Sequence, residues 1–430
     1  MSTEFPRVKA IPDVLAPAKL GPLTLRNRTI KAATYENMAR DGLVTPALID
    51  FHVRHAKGGV AMTTVAYCAV TPDGRTDGEQ IVWRKEALPG LQELTAAVHA
   101  EGAAISAQIG HSGPCNAPKL TGYPALGPSK MFNPMSRTMV KPATLTDIDR
   151  VVRAHGDAAR MAVEAGFDAV EIHLGHNYLA SSFLSPKLNK RKDQYGGSLE
   201  NRARLALRIV SAVREAVGNE IAIVAKLNMD DGVPGGFWLD EAIVVAKWLD
   251  EAGTVDALEM TVGSSLENMM YLFKGEAPIH DFAMVMPQPM QTAIKLFGSH
   301  VVKSYPYKDG YMLDDAKQIQ AAVDLPLILL GGITDRQIMD TAMAEGFQFV
   351  AMGRALLREP DLINRIAADR TTRSLCNHNN KCMVTTFTGS RCVLVPTGEH
   401  DAYPLDLPTA RTKSSPTEAT ASPDPTLAIR

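Results

Sequence analysis

Two histidines and one tyrosine stand close together in the segment IHLGHNYL. His173 and His176 are three residues apart, and Tyr178 follows two residues later. Paired N–H donors that face a carbonyl oxygen stabilise the negative charge that develops when a conjugated carbonyl compound is reduced. A phenol is a suitable general acid for the proton that the α-carbon then needs. A metal site is the alternative for the two histidines, but no carboxylate stands in ligand register nearby.

Two glycine-containing turns near the end of the chain indicate an anion site. Gly331 and Gly332 precede the residues ITD, which can open a helix, and Gly353 precedes Arg354. Glycines and free backbone N–H groups let an anion approach the main chain closely, and an arginine binds a phosphate through two N–H groups. The turns therefore predict a phosphate site, for a cofactor or for a phosphorylated substrate.

Gln108 and Lys226 are further polar residues, each near the carboxyl end of an apolar run. A single polar residue at a strand end is usually structural. The common placement of these two with His173 and Gly353 favours a catalytic face, because the parallel strands of a barrel bring their carboxyl ends to one rim.

Eight short apolar runs alternate with helical patterns along the chain. Apolar strands separated by helices are typical of a parallel sheet that is buried on both faces. Eight of them predict the α/β class and a closed (β/α)₈ TIM barrel. The predicted strands are 29–34, 60–67, 103–110, 168–174, 221–228, 257–263, 325–332 and 347–354.

Helices are predicted between most of these strands. Before the fourth strand, an apolar stripe from Ile148 to Val163 follows a cap at Thr146 or Asp147 and ends at Gly166. The other helices are predicted near 90–101, 200–217, 239–252, 313–323, 335–345 and 360–369.

Two long insertions and a polar tail interrupt the alternation. Residues 111–146 follow the third strand and residues 264–312 follow the sixth, where lids or substrate walls are expected. Five Met residues of the second insertion suit a substrate wall, a core or a subunit interface. We predict one barrel domain over 1–400 and a disordered tail over 401–430, which is rich in Pro, Ser and Thr. The five Met residues of the second insertion are Met269, Met270, Met284, Met286 and Met290.

The charge pattern favours small-molecule partners. The formal net charge is -2, no Lys/Arg-rich run is present, and no apolar stretch is long enough to span a membrane. We therefore expect no nucleic acid and no membrane as partners. The amino-terminal residues contain no apolar signal segment, so a cytoplasmic location is predicted.

The stretch IHLGHNYL…FLSPKLNKRKDQYGGSLENR is very similar to the hallmark segment of the old yellow enzyme/2,4-dienoyl-CoA reductase/trimethylamine dehydrogenase flavoproteins. LGPLTLRNRTIKAATYENM, SAQIGHSG, AGFDAVEIH, LILLGGIT and MGRALLREPDL match in family order. The resemblance extends from about Leu15 to Pro396. It implies FMN across the mouth of the barrel, with NAD(P)H as the electron donor.

The resemblance also implies roles for individual residues. The backbone of Ala33 and Thr34 would edge the flavin, and Gln108 would bind its pyrimidine ring. Lys226 would lie beside N1 and O2, where a cation favours the anionic reduced flavin. The phosphate would be bound by Gly331, Gly332, Gly353 and Arg354. The substrate's carbonyl oxygen would be bound by His173 and His176, and the proton donor would be Tyr178.

The chain departs from the family pattern in two regions. Tyr35 and Glu36 replace residues that commonly touch the flavin, and Tyr67 at the end of the second strand is expected to narrow the pocket. Larger members bind an iron–sulfur cluster through four cysteines, whereas this segment is CNHNNKC, with Asn379 at the second cysteine position. Cys376, Cys382 and Cys392 are therefore predicted to hold no metal, although His378 leaves a mixed site open.

These observations predict an FMN-dependent NAD(P)H oxidoreductase that reduces the activated C=C bond of an enone or enoate. Ping-pong turnover is expected, because no GxGxxG motif follows a strand and NAD(P)H would share the flavin face with the substrate. An amine or C–H dehydrogenase of the trimethylamine dehydrogenase branch and a non-catalytic flavin-binding protein are the alternatives. A homo-oligomeric state is left open.

Overall fold

The computed structural model describes residues 11–134, 136–286 and 288–396. Within these ranges, eight parallel strands pair in chain order and the last pairs with the first, which closes a barrel. Each strand falls within or overlaps a predicted one, so the (β/α)₈ TIM barrel is confirmed. The barrel strands are Thr29–Lys31, Met62–Ala69, Ala104–Gly110, Ala169–Leu174, Ala222–Asn228, Ala257–Thr261, Leu327–Leu329 and Phe349–Met352.

Charged side chains replace apolar ones towards the rim of the barrel. Val224 and Ala257 belong to a small buried cluster that contains residues of seven barrel strands, as expected for the interior. Because side chains alternate between the two faces of a strand, Lys226 and Glu259, two residues further on, point to the same face. The interior is therefore apolar at one end and charged near the carboxyl ends of the strands.

Helices form the outer layer around the barrel, and their inner faces build the larger buried cluster. All seven predicted helices are confirmed. Two short helices, Leu179–Leu184 and Arg354–Arg358, follow the fourth and eighth strands directly. The seven predicted helices are Leu88–Ala100, Leu145–Glu164, Leu199–Val217, Leu239–Ala252, Leu313–Gln320, Arg336–Ala344 and Leu362–Ala368.

The helix Pro46–Lys57 lies between the first two strands, where the hydrophobic pattern predicts none. Thr45 caps it by accepting from the Leu48 N–H, and Pro46 begins its first turn. Its buried face includes His52 and His55, which interrupt the apolar stripe. The sequence thus contains the signals for the start of this helix. The helical spacing of apolar residues cannot be recognised, because polar residues occupy some of the buried positions.

The cap predicted for the helix Leu145–Glu164, at Thr146 or Asp147, is wrong by two or three residues. Its N-cap is Thr144, whose hydroxyl accepts from the Asp147 N–H while the Asp147 side chain accepts from the Thr144 N–H. Asp147 is therefore the third residue of a capping box. Gly166 follows the helix with φ of +83°, as predicted for a glycine stop.

Both insertions contain secondary structure of their own. Of the Met residues in the second insertion, Met270 is buried and Met284 is exposed. The predicted tail, 401–430, lies outside the described residues. The insertions contain the helix Pro118–Thr121, the strands Leu126–Gly127, Met131–Asn133 and Thr138–Pro142, and the helices Met269–Phe273, Ile279–Met284 and Met290–Val301; a hairpin, Ala18–Leu20 with Leu23–Leu25, precedes the barrel.

No helix in the described part of the chain combines the length and the apolar character needed to cross a bilayer.

Several histidines are buried between the helices and the barrel. The His52 ring contacts the Thr63 hydroxyl at 2.8 Å, and the His155 ring contacts the Val151 carbonyl at 2.7 Å. Burial lowers the pKa of His55 to about 3 and that of His155 to about 4. These rings are therefore neutral in the folded protein, whereas the unfolded chain binds protons at them below about pH 6.5.

We expect the protein to lose stability as the pH falls from 7 towards 4, because each buried neutral histidine favours the unfolded state by up to about 1.4 kcal/mol per pH unit below 6.5. The variant His155→Gln should lose less unfolding free energy than the wild type between pH 7.5 and 5.5. Urea unfolding at the two pH values measures this. His280→Gln, at an exposed position, is the control, and equal losses in both variants would contradict the expectation.

Candidate active site at the barrel rim

The two histidines after the fourth strand are linked in a chain of hydrogen bonds. The Gly175 N–H donates to His173 Nδ1 at 3.1 Å, so the proton of this ring lies on Nε2. His173 Nε2 then donates to His176 Nδ1 at 3.3 Å, and His176 Nε2 donates to the Thr261 hydroxyl at 2.8 Å. Burial lowers the pKa of both rings, that of His176 to about 3. The pair is therefore neutral, with the His173 N–H donated to His176 and the His176 N–H donated to Thr261 in this structure.

Tyr178 lies directly against this pair, as predicted. Its ring stacks on His173 at 4.5 Å between centroids, and the edge of the Tyr67 ring meets it at 5.2 Å. Tyr67 is buried and donates to the Gly74 carbonyl at 3.1 Å. Burial raises the pKa of Tyr178 well above its usual value. The phenol thus keeps its proton at neutral pH beside a neutral imidazole.

Gln108 and Lys226 are brought together by Glu171, which the sequence analysis did not single out. The Gln108 amide N–H and the Lys226 ammonium both donate to Glu171 Oε2, the latter at 3.0 Å. Lys226 also pairs with Glu259 Oε1 at 2.7 Å. All four side chains are buried. A charged residue inside an apolar strand, as in VEIH and ALEMT, is the signal that could have identified both glutamates.

A second buried ion pair supports the loop after the first strand. The Lys31 ammonium donates to the Thr34 hydroxyl at 2.9 Å and to Glu36 at 3.2 Å. Both oxygens of Glu36 lie 3.2 Å from the backbone nitrogen of Ala66 in the second strand. Burial raises the pKa of Glu36 to about 7, and Lys31 opposes this shift. Ala33 and Tyr178 both pack against the small buried cluster that contains Tyr67.

Gly353 and Arg354 lie beside this loop. A methyl group added at Gly353 would contact Thr34 Cγ2 at 3.4 Å, so the ends of the first and eighth strands adjoin. The Arg354 guanidinium donates to the Lys274 carbonyl at 3.2 Å and to the Asn380 side chain. Asn380 also donates to the Lys274 carbonyl at 2.8 Å. The second insertion and the carboxyl-terminal segment thus hold Arg354 at the rim.

The glycines after the seventh strand lie in a turn that leads into a helix, as predicted for the segment GGITD, and the role of this turn in binding a phosphate stays a prediction. The helix begins at Arg336, and the Asp335 carboxylate already caps it by accepting from the Ile338 N–H. Gly332 has φ of +76°, and a side chain there would lie 2.6 Å from the Gly310 nitrogen. Gly331 and Gly332 are therefore required by a tight turn that leads into this helix.

Three cysteines line one small cavity beside Arg354. They are Cys376, Cys382 and Cys392. Burial raises the pKa of Cys382 to about 11, so that thiol stays protonated at neutral pH. Over 11–134, 136–286 and 288–396, no three His, Cys, Asp or Glu side chains are placed to hold a metal ion. The expectation that this segment holds no cluster stays a prediction.

The donor set at the rim fits a flavin with a phosphate. Among the described residues, the third N–H of Lys226 and the side-chain carbonyl of Gln108 have no hydrogen-bond partner. One cation, one amide carbonyl and one amide N–H therefore remain for the polar edge of a ring. Arg354 and the bare backbone of Gly353 suit a phosphate.

Comparison with known proteins identifies the family. The model of the NADH:flavin oxidoreductase / NADH oxidase family matches residues 13–271. The chain is 50% identical to 4,4'-dithiodibutanoate disulfide reductase from Rhodococcus erythropolis, over 89% of this chain and 95% of that protein. It is 31% identical to NADH oxidase from Thermoanaerobacter brockii over 81% of this chain, but spans 50% of that longer protein.

The fold agrees with this match. The old yellow enzyme homologue from Zymomonas mobilis superposes with a TM-score of 0.67 at 21% identity, over 84% of this chain and 94% of that one. The chain therefore belongs to the NADH:flavin oxidoreductase / NADH oxidase family and is an FMN-dependent NAD(P)H oxidoreductase on a barrel of the old yellow enzyme type.

Proposed function

We propose that the FMN ring lies across the rim, with its pyrimidine end at Gln108 and Lys226 and its phosphate at Gly353 and Arg354. The proximity of Thr34 to Gly353 and the common contact of Gln108 and Lys226 with Glu171 support this placement. The backbone of Ala33 and Thr34 then edges the ring, and Gly331 and Gly332 complete the turn beside the phosphate. When bound there, FMN would supply the chemistry of hydride transfer from NAD(P)H to an acceptor.

We further propose that the acceptor is the activated C=C bond of an enone or enoate. The observation that carries this proposal is the protonated Tyr178 phenol stacked at 4.5 Å on the neutral His173 ring. Tyr178 donates its proton to the α-carbon. His173 and His176 turn their Nε2 protons from His176 and Thr261 towards the substrate oxygen, and neutral imidazoles donate there without the cost of a buried charge.

An organic disulfide is the second candidate acceptor. The observation that favours it is the 50% identity to 4,4'-dithiodibutanoate disulfide reductase, which extends over 95% of that protein. One disulfide, one NAD(P)H and one proton would give two thiols and NAD(P)⁺. Tyr178 would protonate the departing thiolate, so the same acid serves both reactions.

Anaerobic half-reactions separate the two acceptors. The holoenzyme is bleached with NADH or NADPH and then mixed with cyclohexenone or with 4,4'-dithiodibutanoate, while flavin absorbance and free thiol are followed. The enone proposal predicts faster recovery of absorbance with cyclohexenone, without thiol release. Recovery with the disulfide alone establishes the second candidate. Both candidate reactions would be contradicted if an amine bleached the flavin without NADH or NADPH, or if neither nucleotide bleached the flavin.

The variant Tyr178→Phe should slow reoxidation by cyclohexenone by about 10²- to 10⁴-fold, because the general acid is lost. Reduction by NAD(P)H should stay near the wild-type rate, since it needs no acid from this residue. Stopped-flow absorbance measures the two half-reactions separately. Tyr195→Phe, which removes another buried phenol that contacts Arg208, should leave both rates unchanged. Equal slowing of both half-reactions by Tyr178→Phe would contradict this role.

The variant Arg354→Met should weaken FMN binding by about 10- to 100-fold, because a charge-assisted hydrogen bond contributes about 1.5–3 kcal/mol. Fluorescence titration of the apoprotein with FMN measures the dissociation constant. Riboflavin, which lacks the phosphate, is the matched control and should bind both proteins alike. An equal loss of affinity for FMN and riboflavin would show that Arg354 supports the fold of the rim and does not bind the phosphate.

A further inference from the structure

The ammonium of Lys226 lies between two buried carboxylates. Its distances to Glu171 Oε2 and Glu259 Oε1 are 3.0 and 2.7 Å. The side chains of the three residues are at most 3% exposed. If both carboxylates were ionised, the group would carry one net negative charge in an interior from which water is excluded.

A surplus buried charge is costly, and a buried acid avoids this cost by keeping its proton. Burial raises the pKa of Glu259 to about 8, with Lys226 opposing the shift and Glu171 adding to it. Because Glu171 Oε2 and Glu259 Oε1 contact the same ammonium, the two carboxylates lie close together in the interior. The two carboxylates can thus hold a single proton between them.

The groups around this pair do not remove the surplus charge. Gln108 donates a neutral N–H to Glu171. His173 and His176, whose pKa values are lowered by burial and by Lys226, are neutral. Lys31 also interacts with Glu171 electrostatically, but its ammonium is paired with Glu36 at 3.2 Å.

We propose that Glu171 and Glu259 share one proton, and that this proton is coupled to the redox equilibrium of the flavin through Lys226. The inference rests on the proposed placement of the pyrimidine end beside Lys226. Protonated, the group of three residues is neutral and favours added negative charge on the ring. Deprotonated, it is negative and opposes that charge, so reduction draws a proton from solvent onto the pair.

The coupled reaction balances without a further reactant. Hydride from NAD(P)H brings two electrons and one proton to the flavin. The additional proton comes from water and binds to the Glu171–Glu259 pair, where it compensates the negative charge gained by the ring. Both glutamates are positioning residues in this scheme, since they act through Lys226.

The test is the midpoint potential of the holoenzyme between pH 7 and 9.5, measured by spectroelectrochemistry. From about pH 8 upward, the potential of the wild type should fall about twice as steeply as that of Glu259→Gln, because two protons accompany two electrons when the pair takes part. At pH 7 the two potentials should agree. Glu200→Gln, on an exposed helix start, should follow the wild type throughout.

A structural role for Glu259 would move the potential equally at every pH, and that result would overturn the proposal. Glu171→Gln should also lose the steep segment and should in addition weaken FMN binding, because Glu171 orients Gln108. Proton uptake by the wild type on photoreduction in weak buffer needs no variant. It should rise between pH 7 and 9.5, and constant uptake would overturn the proposal.

One further variant separates this inference from the proposed function. Lys226→Met should lower the potential at pH 7, because a cation beside the ring is removed. An unchanged potential would place the flavin away from Lys226 and contradict the proposed function itself. If Lys226→Met lowers the potential but the wild type and Glu259→Gln show identical pH slopes, the proposal of a shared proton is overturned. The proposed placement of FMN beside Lys226 would then still stand.

Discussion

The pairing of Lys226 with two buried carboxylates joins three adjacent strands of the barrel at its rim. Strand register makes this contact available: Lys226 lies beside Glu259 on one neighbouring strand and beside His173 on the other, and Gln108 lies beside Glu171. Because a closed barrel has a fixed register, a slip of one strand would separate these side chains. The chemistry at the rim therefore depends on an electrostatic contact that only the closed sheet can form.

At the opposite side of the rim, parts of the chain outside the barrel hold the cation assigned to the phosphate. Arg354 donates hydrogen bonds to the Lys274 carbonyl of the second insertion and to the Asn380 side chain. Asn380 belongs to the segment CNHNNKC, for which the family resemblance raised the question of a metal cluster. Here that segment contributes hydrogen bonds to Arg354, so it has a structural connection to the site independent of any metal.

The eight strands and seven of the outer helices could be predicted because most of their buried positions carry apolar residues at the spacing of a strand or a helix. The helix Pro46–Lys57 was missed since His52 and His55 occupy its buried face. Side chains at strand ends could be assigned to one rim by topology alone, whereas the partners of Lys226 could not. Glu171 and Glu259 lie within strands, and only the barrel register shows that both reach the same ammonium.

In the proposed placement, side chains from separate strands bind one FMN molecule across this rim. A crystal structure of the FMN-loaded protein tests it most directly. We expect Lys226 Nζ within hydrogen-bond distance of the flavin N1 or O2, the Gln108 amide on the same ring, and the Arg354 guanidinium on the phosphate. FMN bound with its ring away from Lys226, or with its phosphate away from Arg354, would contradict the claim.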